Sequence, residues 1–490
     1  MNNVTAFEYN FSLPTPIFIG ILIAAGLAVL LILFRLIVKS KPSDTQGRAV
    51  LTERLGLPNI PIPLFAIGVT LWSVVGIILL LGLLGLIFNV LTASGPDSDY
   101  LFYVLRIAGL TTVLAAVIAL PFTLIRLNLT TQQTKTAEEA LFNDKINAAT
   151  QGLYARRQVS QFVDKGGPVD VWQDDIIQRN AAIDRLEGLA QEKPQEVPRI
   201  ARLLSVYVRE LSAEVEPMVP PADATPDDLR AWVRGLPALR SDMENAAQTL
   251  GRLANIAPEP LENGEIDLRG ANLQRARLSG AQFNRSRLRG AHLQGADLGI
   301  AQLRFSDLAD AKMQGTYLNT AQMHYASLSH AQLQVAEMGA TELHNAHLVQ
   351  AQLRQANLYA THLNGADLGK ADMHGAYMVN AQLQQTGLTD TRVRGADLRG
   401  IQVDNATRLS GADATGSALQ AVDLSGTPVP DTFLNAVFGD ASVRLPNGAR
   451  PGDPGWPPHW STQTLDFDAF EAAWREWQAT LPSGWDAPDD

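Results

Sequence analysis

The sequence predicts a multi-domain chain: three transmembrane α-helices, a helical linker domain, a β-solenoid built of five-residue sides, and a C-terminal cap ending in a helix. Three observations carry this. Nearly charge-free apolar stretches crowd the first 126 residues, amphipathic segments punctuated by proline come next, and from Leu268 an apolar residue recurs at every fifth position. At 490 residues the chain exceeds one ordinary core. The expected domains are 1–130, 131–262, 264–425 and 426–490. Charged residues make up 18%, against roughly 25% in a typical soluble domain. The absence of cysteine excludes disulfides, thiolate metal sites and cysteine nucleophiles. Net charges of +2, −6, +1 and −8 fall on residues 1–130, 131–264, 265–405 and 406–490. No segment carries the basic patch that nucleic-acid binding by counterion release requires.

Tyr9–Phe34 and Leu55–Pro96 contain no charged residue, and Ile107–Ile125 is closed by Arg126. Each approaches the roughly 20 apolar residues that cross a bilayer, which places spans at about 14–38, 62–92 and 104–127. The first connecting loop and its edges hold Arg35, Lys39, Lys41, Arg48 and Arg54; the second holds Asp97 and Asp99. Arg126 and Lys135 come after the third run. With three spans both basic flanks share one side, so the expected topology is N-terminus outside and everything after residue 126 cytoplasmic.

Thr134–Val159 reads as a helix leaving the membrane, broken by Gly166–Gly167–Pro168. Ile176, Ile183, Leu186 and Ala190 mark the next helical face. Ile200, Leu203, Leu204, Tyr207, Val208 and Leu211 mark another at i, i+3, i+4, i+7, i+8, i+11. Pro217, Pro220, Pro221 and Pro226 stiffen a linker, and Thr225–Pro226–Asp227–Asp228 starts a further helix. Ser241–Asp242–Met243–Glu244 fits a capping box opening the last one.

A repeat dominates the next 136 residues. From Leu268 to Val403, 28 positions five apart hold 20 Leu, 5 Met, Phe283, Val393 and Val403. Two residues before 26 of them stands a small one, Ala at 19 positions and Ser or Thr at 7, with Ile266 and Ile401 at the two ends. A period of five circles a helix and alternates faces on a strand. It fits a chain that turns after each pentapeptide and points both the apolar and the small residue inward. Leu268, Leu273, Phe283, Leu298, Leu328, Leu358, Leu368 and Leu398 are thereby assigned to the core. The register slips by one near Arg408 and resumes weakly at Leu409, Ala414, Leu419 and Leu424.

Ala271–Asn272–Leu273, Ala296–Asp297–Leu298, Ala366–Asp367–Leu368 and Ala396–Asp397–Leu398 resemble the A(D/N)LXX motif of pentapeptide repeat proteins, and the preceding helices resemble those of bacterial membrane-anchored members. The resemblance implies a right-handed quadrilateral β-helix with four pentapeptides per coil, hence seven coils and a rod of roughly 34 Å. Many second positions hold Gln, His or Arg in place of Asp or Asn. A 20-residue stride stacks Gln274, Gln294, Gln314 and Gln334, continued by Arg354, His374 and Arg394. Gln282, Gln302 and Gln322 form a second ladder. His324 and His344 share a face with His362 near, without a carboxylate obviously beside them, so neither metal nor cofactor is expected.

The tail supplies a cap around Phe433, Leu434, Val437 and Phe438, then an acidic helix with Phe467, Phe470, Trp474 and Trp477 on one face. That helix either docks on the rod or recruits a partner. Gln274, Gln294, Gln314, Gln334, His324, His344, Trp474 and Trp477 are the candidate interaction surface. No phosphate loop, HExxH or GxSxG motif is present. The expected role is a non-enzymatic, membrane-anchored scaffold that binds the lipid bilayer and unidentified protein partners, with no nucleic acid and no small-molecule substrate. Its spans leave room for homo-oligomerisation. The alternatives are a DNA-mimic modulator of a type II topoisomerase, borrowed from the family, and an accessory subunit of a membrane transport system.

Overall fold

A computed structural model describes residues 62–92, 100–163, 167–262 and 264–485, in two compact units, Met1–Asn143 and Asp144–Asp490. The first expected span, at 14–38, and both interhelical loops lie outside the described residues. In unit one, α1 (Ile62–Thr92) has a mean hydropathy of 2.8 over Ile67–Leu91 and exposes Ile67, Leu71 and Leu91 around its circumference. The second helix, α2 (Tyr100–Leu153), passes Pro121 unbroken. Its threonine hydroxyls fold back onto the backbone, Thr111 to Ile107 O at 2.6 Å and Thr112 to Ala108 O at 2.8 Å. That is how a polar group is satisfied in an apolar helix. Two described helices are therefore long and apolar enough to cross a membrane.

Beyond Leu153 the expected helix gives way to an antiparallel hairpin, β1 (Arg156–Val163) with β2 (Gly167–Asp174). Val159, Val163, Val169 and Val171 favour a strand, and the Gly-rich break is a turn between strands. A helical bundle comes next: α3 (Ile176–Glu192), α4 (Val197–Glu214), α5 (Pro226–Gly235) and α6 (Ser241–Leu253). Ile183, Leu186, Ile200, Leu204, Val208, Met243 and Leu250 fill its core. Thr225 and Asp228 form a reciprocal capping box at α5.

The capping box expected at Ser241 does not form. Arg240 is the N-cap residue, and Asp242 turns inward to full burial. Its carboxylate accepts two bonds from Arg240, at 2.8 and 2.9 Å, and one from the Tyr207 hydroxyl at 2.8 Å. Asp174 joins through Arg179 and Arg240. Burial and the neighbouring carboxylate push the Tyr207 phenol up. A buried, multiply bonded charge network thus ties hairpin, α4 and α6 together.

From Asp267 the chain winds as a four-sided column in which residue n bridges residue n+20 in parallel, on four columns five residues apart. Leu268 N donates to Arg287 O at 2.7 Å and Arg287 N to Ile266 O at 2.9 Å, a pattern repeated coil after coil. Leu268, Leu273, Phe283, Leu298, Leu328, Leu358, Leu368 and Leu398 are all buried. Ser and Thr substitute for Ala inside because their hydroxyls find carbonyls: Thr316 Oγ1 donates to Leu293 O and Met313 O at 3.0 and 2.8 Å. Every fifth residue from Gly270 to Gly400 is a corner with φ between +52° and +72°, and only nine of these 27 corners are glycine.

The one-residue slip is absorbed between Gln402 and Arg408, after which Gly387 bridges Arg408 and Arg392 bridges Asp413. A void of about 20 Å³ lined by Leu383, Val403, Leu409 and Phe433 sits at this level. The ladder extends past residue 425, since β3 (Ser417–Leu419) pairs with β4 (Val437–Gly439), which comes directly after α7 (Asp431–Ala436). The Arg277 column therefore has nine rungs ending at Phe438, roughly 38 Å from first to last at strand spacing. At the start, Gly251 of α6 lies across the first coil: its carbonyl accepts from Gln282 N at 2.9 Å, and a Cβ there would meet Ala281 Cβ at 2.6 Å. At the other end, Ser461 N donates to Gly439 O at 2.9 Å.

Candidate functional site

The outward residues divide among four sides, numbered one to four after the inward Leu268, Leu273, Leu278 and Phe283 columns. Side two is not an open surface. Gln274, Gln294 and Gln314 are buried, which corrects their place on an interaction surface. The proline-rich strap after α4 lies over them: Gln274 Nε2 donates to Met218 O at 2.7 Å, and Gln274 Oε1 accepts from Met218 N at 2.9 Å. Asn272 Nδ2 bonds Val215 O at 3.0 Å, and Arg275 reaches Leu236 O. Proline has no N–H and a proline-rich segment does not pair with its own backbone, so the amide column supplies hydrogen-bond partners.

The last helix, α8 (Phe467–Gln478), is docked on the column. Trp474 is buried, with Nε1 donating to Gly416 O at 2.8 Å, and Gln478 shares that carbonyl at 2.7 Å. Trp477 is half-buried, stacks on His459 at 5.1 Å and lies tilted against Phe438 at 5.8 Å. A Cβ at Gly416 would lie 2.1 Å from Trp485, so this corner must be glycine. Arg399, paired with Asp397, places its guanidinium 4.6 Å from the Phe467 ring. Neither tryptophan is displayed for recruitment.

Sides three and four are open over their middle coils. Side three exposes Tyr317, Tyr359 and Tyr377, the last two stacked at 6.1 Å. Side four carries the imidazoles: His324 stacks on His344 at 4.9 Å and 13°, and His344 lies tilted against His362 at 5.5 Å and 37°. Contrary to the sequence expectation a carboxylate does stand there, Glu342 Oε2, 2.6 Å from His324 Nε2. Among the described residues no three His, Asp or Glu side chains are arranged to hold a metal. Burial, then the flanking imidazoles, hold His344 below the usual histidine range. At the corner beside this side, Phe305 and Tyr325 stack at 5.0 Å and 1°, each about half exposed, with Arg285 5.9 Å from the Phe305 ring.

The side-chain stitching differs from the expected ladders. Gln274 does bond Gln294, at 3.1 Å, but Gln314 reaches Gln332 and Gln334 reaches Gln352. Asn284–Gln302, Gln384–Gln402, Arg354–Asp372 and His324–Glu342 keep the same 18-residue stride. A side chain just after the inward residue thus meets one just before the inward residue of the next coil. The contact is diagonal, and a count of directly stacked positions misses it.

Residues 266–299, 301–334, 336–375 and 361–400 match the family model described as pentapeptide repeats, in 8 copies. Among solved structures, the chain is similar to HetL, a pentapeptide repeat protein involved in heterocyst differentiation regulation from the cyanobacterium Nostoc. The identity is 23%, over 37% of this chain and 90% of that one, with a TM-score of 0.27. It is also similar to QnrB1, a plasmid-mediated fluoroquinolone resistance protein, at 17% identity over 36% and 91% of the two chains, with a TM-score of 0.25. A pentapeptide repeat protein of the Arabidopsis thaliana thylakoid lumen matches at 27% identity over 21% and 66%, with a TM-score of 0.13. No curated protein sequence matches the chain.

Proposed function

We propose, from the premise that the chain is a pentapeptide repeat protein through residues 266–400, that it works as a non-enzymatic scaffold held at a membrane. The observation that carries this is the division of the column's surface. Side two and both ends are occupied by the chain's own segments, while sides three and four present stacked aromatic and imidazole side chains to solvent. Exposed, ordered aromatic rings on a rigid support are the residues that dominate protein interfaces. The two apolar helices and the asymmetric placement of Lys and Arg support anchoring, with the column on the cytoplasmic side of a bacterial inner membrane. A balanced charge over 265–405 favours this reading over imitation of DNA.

Photo-crosslinking tests it. A photoreactive residue at Tyr325 or Tyr359 in native membranes should capture a discrete protein, whereas one at buried Leu328 should capture none. Equal yields from all three positions, or no protein adduct at all, would count against the scaffold.

A further inference from the structure

Farther along side two, the proline-rich strap roofs a cleft of about 470 Å³. Pro220, Pro221, Asp223 and Pro226 form the roof, and outward positions of four successive coils form the floor. The floor changes character along its length: Gln314 and Gln334 first, then Arg354 and Gln355, then His374. At the first end two acceptors are unmatched. Each glutamine spends its Nε2 on a neighbouring amide, while Gln314 Oε1 and Gln334 Oε1 are buried without a hydrogen-bond partner. Gln314 as a whole is only 3% exposed. Leaving such an acceptor unpaired costs roughly 1–3 kcal/mol, so this end calls for N–H donors, and Asp223 adds a carboxylate to it. At the far end the cleft is lined by Arg354, Gln355 and His374; Arg354 gives Nε to Asp372, and a guanidinium carries further N–H donors.

We propose that this cleft binds a short peptide in extended form, with its α-ammonium on Gln314, Gln334 and Asp223 and its terminal carboxylate toward Arg354. The polarity of the cleft reverses over two to three coils, roughly 10–14 Å, and three extended residues span roughly 10 Å. The volume suits a ligand of that size. Pro220, Pro221 and Pro226 give the roof apolar surface and contribute no N–H groups of their own. A simple amine leaves the donor end unmet, and a simple anion brings no proton to the two unmatched carbonyls. The site is independent of the open sides proposed for protein partners.

The test uses the full chain in detergent micelles and calorimetric titration with trialanine, N-acetyl-trialanine and trialanine amide. Trialanine should bind, and capping either terminus should weaken binding about tenfold, or about 1.4 kcal/mol. Gln314→Leu with Gln334→Leu should reduce the penalty of acetylation, leaving the share owed to Asp223, and Asp223→Asn, at an exposed position, should weaken trialanine several-fold without altering the unfolding temperature. No binding of trialanine, or equal affinity for all three peptides, would overturn the proposal.

Discussion

Ile300 occupies a corner at φ +52° with a β-branched side chain that is 62% exposed. Left-handed backbone costs an L-residue about 1–2 kcal/mol, less for Asn, and a branched Cβ is among the worst choices. The side chain gives little back: toward the coil before it, Cδ1 lies 3.7 Å from the point where a Cβ would stand on Gly280, and glycine has none. Replacing Ile300 by Asn should therefore stabilise the column by about 1 kcal/mol, which corresponds to roughly 2–4 °C for a unit of this size. Ile300→Gly should gain less, because glycine frees the unfolded chain by about 0.5–1 kcal/mol. Ile300→Val keeps the branch and should change nothing. Urea midpoints of the full chain in detergent, read by tryptophan fluorescence, rank the three, since Trp456, Trp460 and Trp474 are buried at the column's end. A Val variant as stable as the Asn variant would refute the claim that corner strain is stored there.

Inside the column, Leu328→Asp should cost more than about 5 kcal/mol, combining a lost core side chain with an unpaired buried carboxylate; Ser327→Asp, one residue away and outward, should cost less than about 0.5 kcal/mol, and limited proteolysis distinguishes the two. Asp242→Asn removes one of the two carboxylates that Arg240 and Arg179 share, Asp174 being the other, and should destabilise the bundle by about 3–5 kcal/mol, seen as an earlier loss of helical circular dichroism on heating. His292 titrates at about 4 in the folded chain against 6.5 for a free imidazole, through burial first and Lys312 second. Protons then bind the unfolded chain preferentially, so this contribution is complete above pH 6.5 and is lost as the pH falls toward 4. His292→Gln should flatten the dependence of the urea midpoint on pH over that range.

Inward positions were legible because burial repeats at fixed intervals: Leu298 and Ala296 report the same geometry in every coil. The outward surface was less so. Gln274 and Gln314 carry no mark showing that a distant strap lies over them, and Glu342 meets His324 through a diagonal that a stride of 20 does not contain. The hairpin at Arg156–Asp174 was hidden by a polar composition, in which four valines, Phe162 and Trp172 speak for strands without strict alternation. Asp242 stands after a serine and precedes a glutamate two residues on, so local pattern suggested a cap; the partners that draw it inward, Tyr207 and Arg240, become neighbours only in the folded bundle.

Gly251 of α6 and the segment around Ser461 shut the two ends of the backbone ladder. An unterminated stack of this kind is a template for end-to-end growth into filaments, because its outermost amides and carbonyls have the same spacing as those of another copy. The lids therefore fix the number of storeys, and a chain trimmed at either one should polymerise while its interior stays intact.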